Sequence, residues 1–281
     1  MFKTRGVSKY FLDEEHYTVF GKKYKSEQNF KGDIVNFFLP QINSIFENYK
    51  IIFNSKFSKM NSHITFSCDC KDHKSIIITI YLDLDNQPTY IYIDYLVSCK
   101  VNSDEIKGGD ILTKIIQLKD EIGVEFIQLR DVSFKVVKNC RLNLAIFKII
   151  TSTDGFSWYN KYGFFSIHHD DDITTNMTNR SMTFSKLINE KINPVHQVKL
   201  LNLMNKHGID GRYTIRSYFL SVQNMLNDPT YTVDCDFIYD LNDLLELLVS
   251  SGIIQYDNVL YYKNGTYLTR SDIDDIELFF V

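Results

Sequence analysis

Four side chains able to ligate a borderline metal, His63, Cys68, Cys70 and His73, lie within eleven residues. Such a set holds zinc when the four converge on a tetrahedral centre. Here Cys68 and Cys70 continue the every-second-residue alternation of Ile64 and Phe66, whereas His63 has the opposite parity, so the thiols read as inward-facing residues of a strand. The run His168-His169-Asp170-Asp171-Asp172 offers ligands to a divalent cation, but neighbours in sequence rarely converge on one ion, and the run reads as a solvated turn. No metal site is expected. The G-x-x-x-x-G-K-[ST], H-E-x-x-H and G-x-S-x-G signatures of P-loop NTPases, zincins and α/β-hydrolases are absent. Cys99 and Cys140 have no histidine at a spacing that supports a cysteine nucleophile.

The elements that must carry any chemistry follow from periodicity. Residues 33–49 place Ile34, Phe37, Phe38, Ile42, Ile45 and Phe46 near helical spacing, with Pro40 as a kink or a break. From His63 the period becomes two, and three antiparallel strands are expected in H-I-T-F-S-C-D-C, S-I-I-I-T-I-Y-L-D-L and Y-I-Y-I-D-Y-L-V-S-C, the last two joined at Asp85-Asn86-Gln87-Pro88. A polar, glycine-bearing loop then leads into a helix striped by Ile111, Ile115, Leu118 and Ile122 and ended by Gly123. Residues 124–137 read as one strand. Residues 143–152 fit strand or helix equally. Next come a short helix stopped at Gly163 and a strand, then a polar loop from His168 to Arg180. Three helices with Gly or Asp-Pro stops and a terminal hairpin complete the chain.

Composition narrows the class. The 281 residues are 44% hydrophobic and 23% charged, as in ordinary globular proteins, and no apolar run reaches the 18 or so residues that a spanning helix needs. The first 17 residues carry positive charge without an apolar segment behind it, so no secretory signal is expected. Residues 1–179 hold 22 Lys+Arg against 22 Asp+Glu, and residues 180–281 hold 9 against 13, so the net charge of -4 sits in the last hundred residues. That balance argues against a nucleic-acid partner. Five cysteines, an odd and sparse set, are expected to be reduced thiols in a cytoplasmic setting. One alanine, Ala145, and seven arginines among 31 basic residues point to an AT-rich genome such as that of a large DNA virus or certain protists.

The order of these elements, together with Trp158-Tyr159-Asn160-Lys161-Tyr162-Gly163-Phe164, resembles the GNAT superfamily of acyl-CoA N-acyltransferases over about residues 15–170. The seven-residue segment is similar to the family's F-Y-x-K-x-G-F. A weaker match sets Lys107-Gly108-Gly109-Asp110-Ile111-Leu112 on the family's phosphate loop, Q/R-x-x-G-x-G/A, with Lys107 for the arginine and with Asp110 and Leu112 at the two motif glycines. Those glycines let backbone N–H groups at a helix N-terminus approach a pyrophosphate. Asp110 would repel the pyrophosphate if it pointed inward; alternatively Gly108-Gly109 supply the open backbone in a shifted register and Asp110 favours the helix start.

Together with the helical patterns after Arg180, the resemblance implies an α+β fold, a mixed sheet flanked by helices and followed by a mainly helical C-terminal region with a terminal hairpin. It implies a GNAT-like domain over residues 1–179, with a helical domain over 180–281. It also implies N-acetyl transfer from acetyl-CoA, as co-substrate and without a metal, to an amine acceptor. The backbone around Leu96, Val97 and Ser98 would bind the acetyl carbonyl, Asp94 or Asp131 would take the amine proton, and Tyr159 would protonate the leaving thiolate. The other expected outcome is a degenerate scaffold of the same shape, serving as an interaction or virion component. The acidic helix bearing Asp236, Asp240, Asp243 and Glu246 suits a homodimer or protein contact rather than nucleic acid or a membrane.

Overall fold

The computed structural model describes residues 17–19, 22–24, 27–49, 51–58, 63–70, 74–83, 87–96, 98–101 and 104–264. The chain divides into two units, residues 1–128 and 129–281. The stretch expected as a polar loop from His168 to Arg180 is a helix, described below.

In the first unit, a hairpin of β1 (Tyr17–Val19) and β2 (Lys22–Tyr24) precedes α1 (Glu27–Phe46), which runs through Pro40 without a break. Strands β3 (Asn54–Ser58), β4 (His63–Cys70), β5 (Lys74–Leu82) and β6 (Pro88–Tyr95) form an antiparallel meander. Three of these were legible in the alternation; β3 was not, being short and mostly polar. The registers Ile64↔Ile80, Phe66↔Ile78, Ile80↔Ile91 and Ile78↔Ile93 put an isoleucine-rich face on one side of the sheet, and all of these side chains are buried. Cys68 continues that face, and His63 stands on the other, as the parity requires.

A short hairpin, β7 (Cys99–Val101) and β8 (Asp104–Ile106), leads into α2 (Gly108–Ile122). This helix buries Ile111, Leu112, Ile115, Leu118 and Ile122, packs on α1, and ends at Gly123 in the left-handed region, φ 73°. Strand β9 (Phe126–Arg130) follows. The Glu125 N–H donates to the Thr89 carbonyl at 3.2 Å, so β6 and β9 begin side by side and run parallel, with α2 as the crossover. The opposite face carries an aromatic ladder: Tyr81 stacks on Tyr90 with centroids 4.5 Å apart, and Tyr90 on Phe126 at 4.9 Å.

In the second unit, the end of β9 lies beside β12 (Val259–Tyr262), with the Asp131 N–H donating to the Asn258 carbonyl at 2.7 Å. The expected strand over 124–137 is interrupted at Asp131–Ser133. Its second half is β10 (Phe134–Val137), which forms a hairpin with β11 (Cys140–Asn143) through Lys138 and Asn139, both at positive φ. The ambiguous apolar run is helical: α3 (Leu144–Thr151), capped by Asn143.

Beyond a 3₁₀ turn at Asn160–Tyr162 come α4 (His169–Asn179), α5 (Phe184–Glu190), α6 (Pro194–His207), α7 (Ile215–Asn227) and α8 (Cys235–Ser250). Thr183, Asn193, Thr214 and Asp234 each accept an N–H of the first turn of the helix they precede, α5 to α8 in order. Phe147, Ile150, Phe184, Leu200, Phe219, Leu245 and Leu248 are central to one apolar core. Only the first arm of the expected terminal hairpin, β12, belongs to the described residues. The strand expected after Gly163 reduces to one bridge, Phe165↔Tyr261.

The architecture is therefore a mixed sheet flanked by helices, followed by a mainly helical region that ends in a strand. Cys140 and Cys235 are joined as a disulfide, which corrects the expectation of reduced thiols; nothing local in the sequence pairs residues 95 positions apart. Among the described residues, no helix is long and apolar enough to cross a membrane, and no group of three or more His, Cys, Asp or Glu could hold a metal.

Candidate functional site

The second unit builds a polar cluster at the point where β9 ends. Asp131 is fully buried. Its Oδ1 accepts the Ser133 N–H at 3.1 Å and the Ser133 hydroxyl, its main-chain carbonyl accepts the Tyr256 hydroxyl, and its Oδ2 has no hydrogen-bond partner. Burial pushes the carboxyl above its ordinary range, and the Ser133 bonds oppose that shift.

Tyr159 stands near this carboxylate. Burial first, and Asp131 second, hold its phenol well above the ordinary tyrosine range, so it stays protonated at neutral pH. Tyr256 is shifted the same way by burial, Asp131 and Asp257.

The segment around Tyr159 folds through Asn160. Its Oδ1 accepts the Ser157 N–H at 2.6 Å, and its amide donates to the Phe164 carbonyl at 2.7 Å, closing the loop across the aromatic residues. Gly163 sits at φ 87°, and a Cβ there would lie 3.2 Å from the Tyr262 ring, so both backbone and space demand glycine. Lys161 covers the Trp158 and Tyr162 rings at 5.0 and 4.9 Å. Tyr159 itself packs edge-on against Trp158.

In the first unit, Asp94 lies where the β5–β6 register shifts. Ile77 pairs with Tyr95 and Ile78 with Ile93, which leaves Asp94 as the extra residue of a bulge. Its Oδ2 accepts the Thr79 hydroxyl at 2.6 Å, and Thr79 in turn lies 3.2 Å from the Thr65 hydroxyl. Partial burial raises the Asp94 carboxyl, and Thr79 and then His63 oppose the shift. Leu96 and Ser98 follow the bulge, half-buried; Val97 lies outside the described residues.

At the start of α2, the Lys107 carbonyl accepts from Asp110 at 3.0 Å and Ile111 at 3.2 Å, which leaves the Gly108 and Gly109 N–H groups ahead of the helical ladder. Lys107 and Asp110 are exposed. Ile111 and Leu112 point into the core, fully buried, so a ligand there would meet only their backbone.

Asp131 and Tyr159 thus come together within one unit. Asp94, Leu96, Ser98 and residues 107–112 belong to the other. Sequence reasoning missed Ser133, Ser157 and Tyr256 beside Asp131, and Thr79 beside Asp94. Tyr256 follows Asp131 by 125 residues, and no local pattern links the two. Compared with protein-family models, with curated proteins and with solved structures, the chain matches none.

Proposed function

We propose that this chain is an acetyl-CoA-dependent N-acetyltransferase of GNAT type. The observation that carries the reading is the parallel step from β6 to β9 through a helix that opens on Gly108-Gly109. Two N–H groups ahead of the helical ladder, with the exposed Lys107 beside them, suit a pyrophosphate. The place of the W-Y-N-K-Y-G-F segment in the order of elements supports the same reading.

In this mechanism the acceptor nitrogen attacks the thioester carbonyl carbon. A C–N bond forms, the C–S bond breaks through a tetrahedral intermediate, and backbone N–H groups between Leu96 and Ser98 stabilise its oxyanion. The amine proton goes to a carboxylate, Asp94 or Asp131, whose raised pKa brings it closer to that of a base working near neutrality. Tyr159 acts as a hydrogen-bond donor to the leaving sulfur. Its raised pKa makes complete proton transfer uphill, so its contribution is stabilisation of the thiolate.

A thermal-shift titration of the full chain with acetyl-CoA and CoA tests the reading. A rise of the midpoint that follows the logarithm of coenzyme concentration, about 2.7 kcal/mol of stabilisation at a hundredfold excess over the dissociation constant, and that is weakened by Gly108→Trp, supports it. No rise at millimolar coenzyme overturns it. The second reading is a scaffold of the same shape without coenzyme, favoured by the exposed Asp110 carboxylate in the first turn of α2. Under that reading Asp110→Arg creates coenzyme binding where the parent chain has none; under the first it alters binding that already exists.

A further inference from the structure

A small cavity in the second unit has a charge pattern that the proposed chemistry leaves unused. It has about 30 Å³ of free volume, and Ser157, Ser166, Asp172, Tyr256 and Asp257 contribute polar groups to its wall. A single water needs about 10–15 Å³ measured in this way, so the space holds about two water-sized groups and excludes a coenzyme or a nucleotide.

The acceptors on this wall are only partly used. Asp172 Oδ2 accepts the Ser166 hydroxyl at 2.9 Å, and Asp257 Oδ1 accepts the Val259 N–H at 2.9 Å, which leaves one oxygen of each carboxylate. Ser157 is only 6% exposed, and its hydroxyl has no hydrogen-bond partner. Asn160 and Asn176, also in the wall, are spent on the fold. Asn160 ties Ser157 to Phe164, and Asn176 exchanges two bonds with the Gln255 backbone at 2.7 and 2.9 Å.

Cations are missing from this wall. The lining contains no lysine or arginine. His169 is kept neutral by burial and is packed against Phe156 and Phe165. Burial raises Asp172, and after the opposing Ser166 bond and the exposed His168 on one side, Asp257 and Asp171 add to the rise. Two half-buried carboxylates that repel each other gain from a cation placed between them.

We infer that this cavity takes the protonated head of a primary amine. An alkylammonium head has three donors and no acceptor, which matches the free oxygens of Asp172 and Asp257 and the Ser157 hydroxyl. The head and its first carbon fill the volume. A divalent metal fits less well, since it asks for about six oxygen ligands. Taken as the acceptor-recognition site, the cavity depends on the transferase reading; as an ammonium site it does not.

The test compares thermal midpoints of the full chain in methylammonium chloride, tetramethylammonium chloride and sodium chloride at equal ionic strength, without acetyl-CoA. The expected result is a rise specific to methylammonium that follows the logarithm of its concentration above a dissociation constant in the millimolar range, which the ceiling for a two-heavy-atom ligand sets. Asp172→Asn and Asp257→Asn should each weaken it at least about fivefold, roughly the share of one charged hydrogen bond. If one variant fails to fold, the other and the three-salt comparison still decide.

Equal midpoints in the three salts, an unchanged response in both variants, or the same rise with millimolar magnesium or calcium overturns the inference. Because coenzyme is absent from this assay, failure here leaves the acetyl-CoA titration intact, and failure of that titration leaves an ammonium response standing.

Discussion

The Thr79 hydroxyl donates to the Asp94 carboxylate across the β5–β6 pair at 2.6 Å, at the bulge that separates Asp94 from the regular ladder. Partial burial raises this carboxyl and the threonine opposes the rise. Thr79→Val removes the donor while keeping the shape, so the Asp94 pKa should climb further. Thr79→Ser should restore the parent value. Carbon-13 NMR titration of the Asp94 carboxyl reads both. A pKa that stays put or falls in Thr79→Val would show that the hydrogen bond is idle.

Asp131 has a pH signature of its own. Burial holds its folded pKa above the usual 3.8, so the folded protein keeps a proton that the unfolded chain has lost. The stability it contributes is full below the unfolded value and declines as pH rises through the folded one. Asp131→Asn keeps an acceptor for the Ser133 N–H, cannot ionise, and should flatten that decline. Asp131→Ala removes the acceptor altogether and should cost about 1–3 kcal/mol. Urea unfolding of the three proteins from pH 4 to 8 measures this, and a parent stability that increases with pH more steeply than that of Asp131→Asn contradicts the sign.

How far the sequence determined these sites depended on the range of the interaction. The isoleucine alternation of β4 to β6 and the stop at Gly123 are local patterns, and both were legible. The segment from Trp158 to Phe164 was visible as a motif, yet the reason for Asn160, its clasp on Ser157 and Phe164, needed coordinates. Asp94 was named from its place on the third strand and Asp131 from the end of the next; the Thr79 that opposes the Asp94 shift comes from a neighbouring strand, whereas Ser133 lies two residues from Asp131. The apolar run after Asn143 had no decisive period; its helix follows from the Asn143 cap and from packing on α7. Helix α4 was hidden because its first turn is three aspartates, residues 170–172, a sequence equally suited to a loop.

Arg180 shows how much a buried cation can organise without an acid partner in contact. Its guanidinium is 2% exposed and donates to the carbonyls of Ile149 at 3.1 Å, Ile150 at 3.3 Å, Ser152 at 2.6 Å and Thr153 at 2.8 Å. These carbonyls lie at and just beyond the C-terminus of α3, where helix geometry leaves them unpaired and the dipole favours positive charge. Arg180→Met should therefore destabilise the protein by about 3 kcal/mol or more, the cost of several orphaned carbonyls. Arg180→Lys should recover less than half, because an ammonium cannot reproduce the planar fork. Urea unfolding at neutral pH measures both, and a loss below about 1 kcal/mol for Arg180→Met would mean that water replaces the guanidinium.

The disulfide between Cys140 and Cys235 ties the end of the β10–β11 hairpin to the first turn of α8, where the Asn242 side chain already holds the Asn143 N–H at 2.9 Å and the Arg141 carbonyl at 2.7 Å. A cross-link spanning 95 residues restricts the unfolded chain by up to about 4–5 kcal/mol in the chain-entropy account. Reduction should lower the thermal midpoint by on the order of 10 °C, because each kcal/mol is worth about 2–4 °C in a domain of this size. Cys140→Ser and Cys235→Ser should each show the lowered midpoint and no further response to reductant. Alkylation under denaturing conditions, followed by mass measurement, counts the thiols. If both cysteines are alkylated in protein prepared without reductant, or if reductant leaves the parent midpoint unchanged, the cross-link contributes nothing to stability, and the Asn242 bonds and the shared apolar core hold the hairpin to α8.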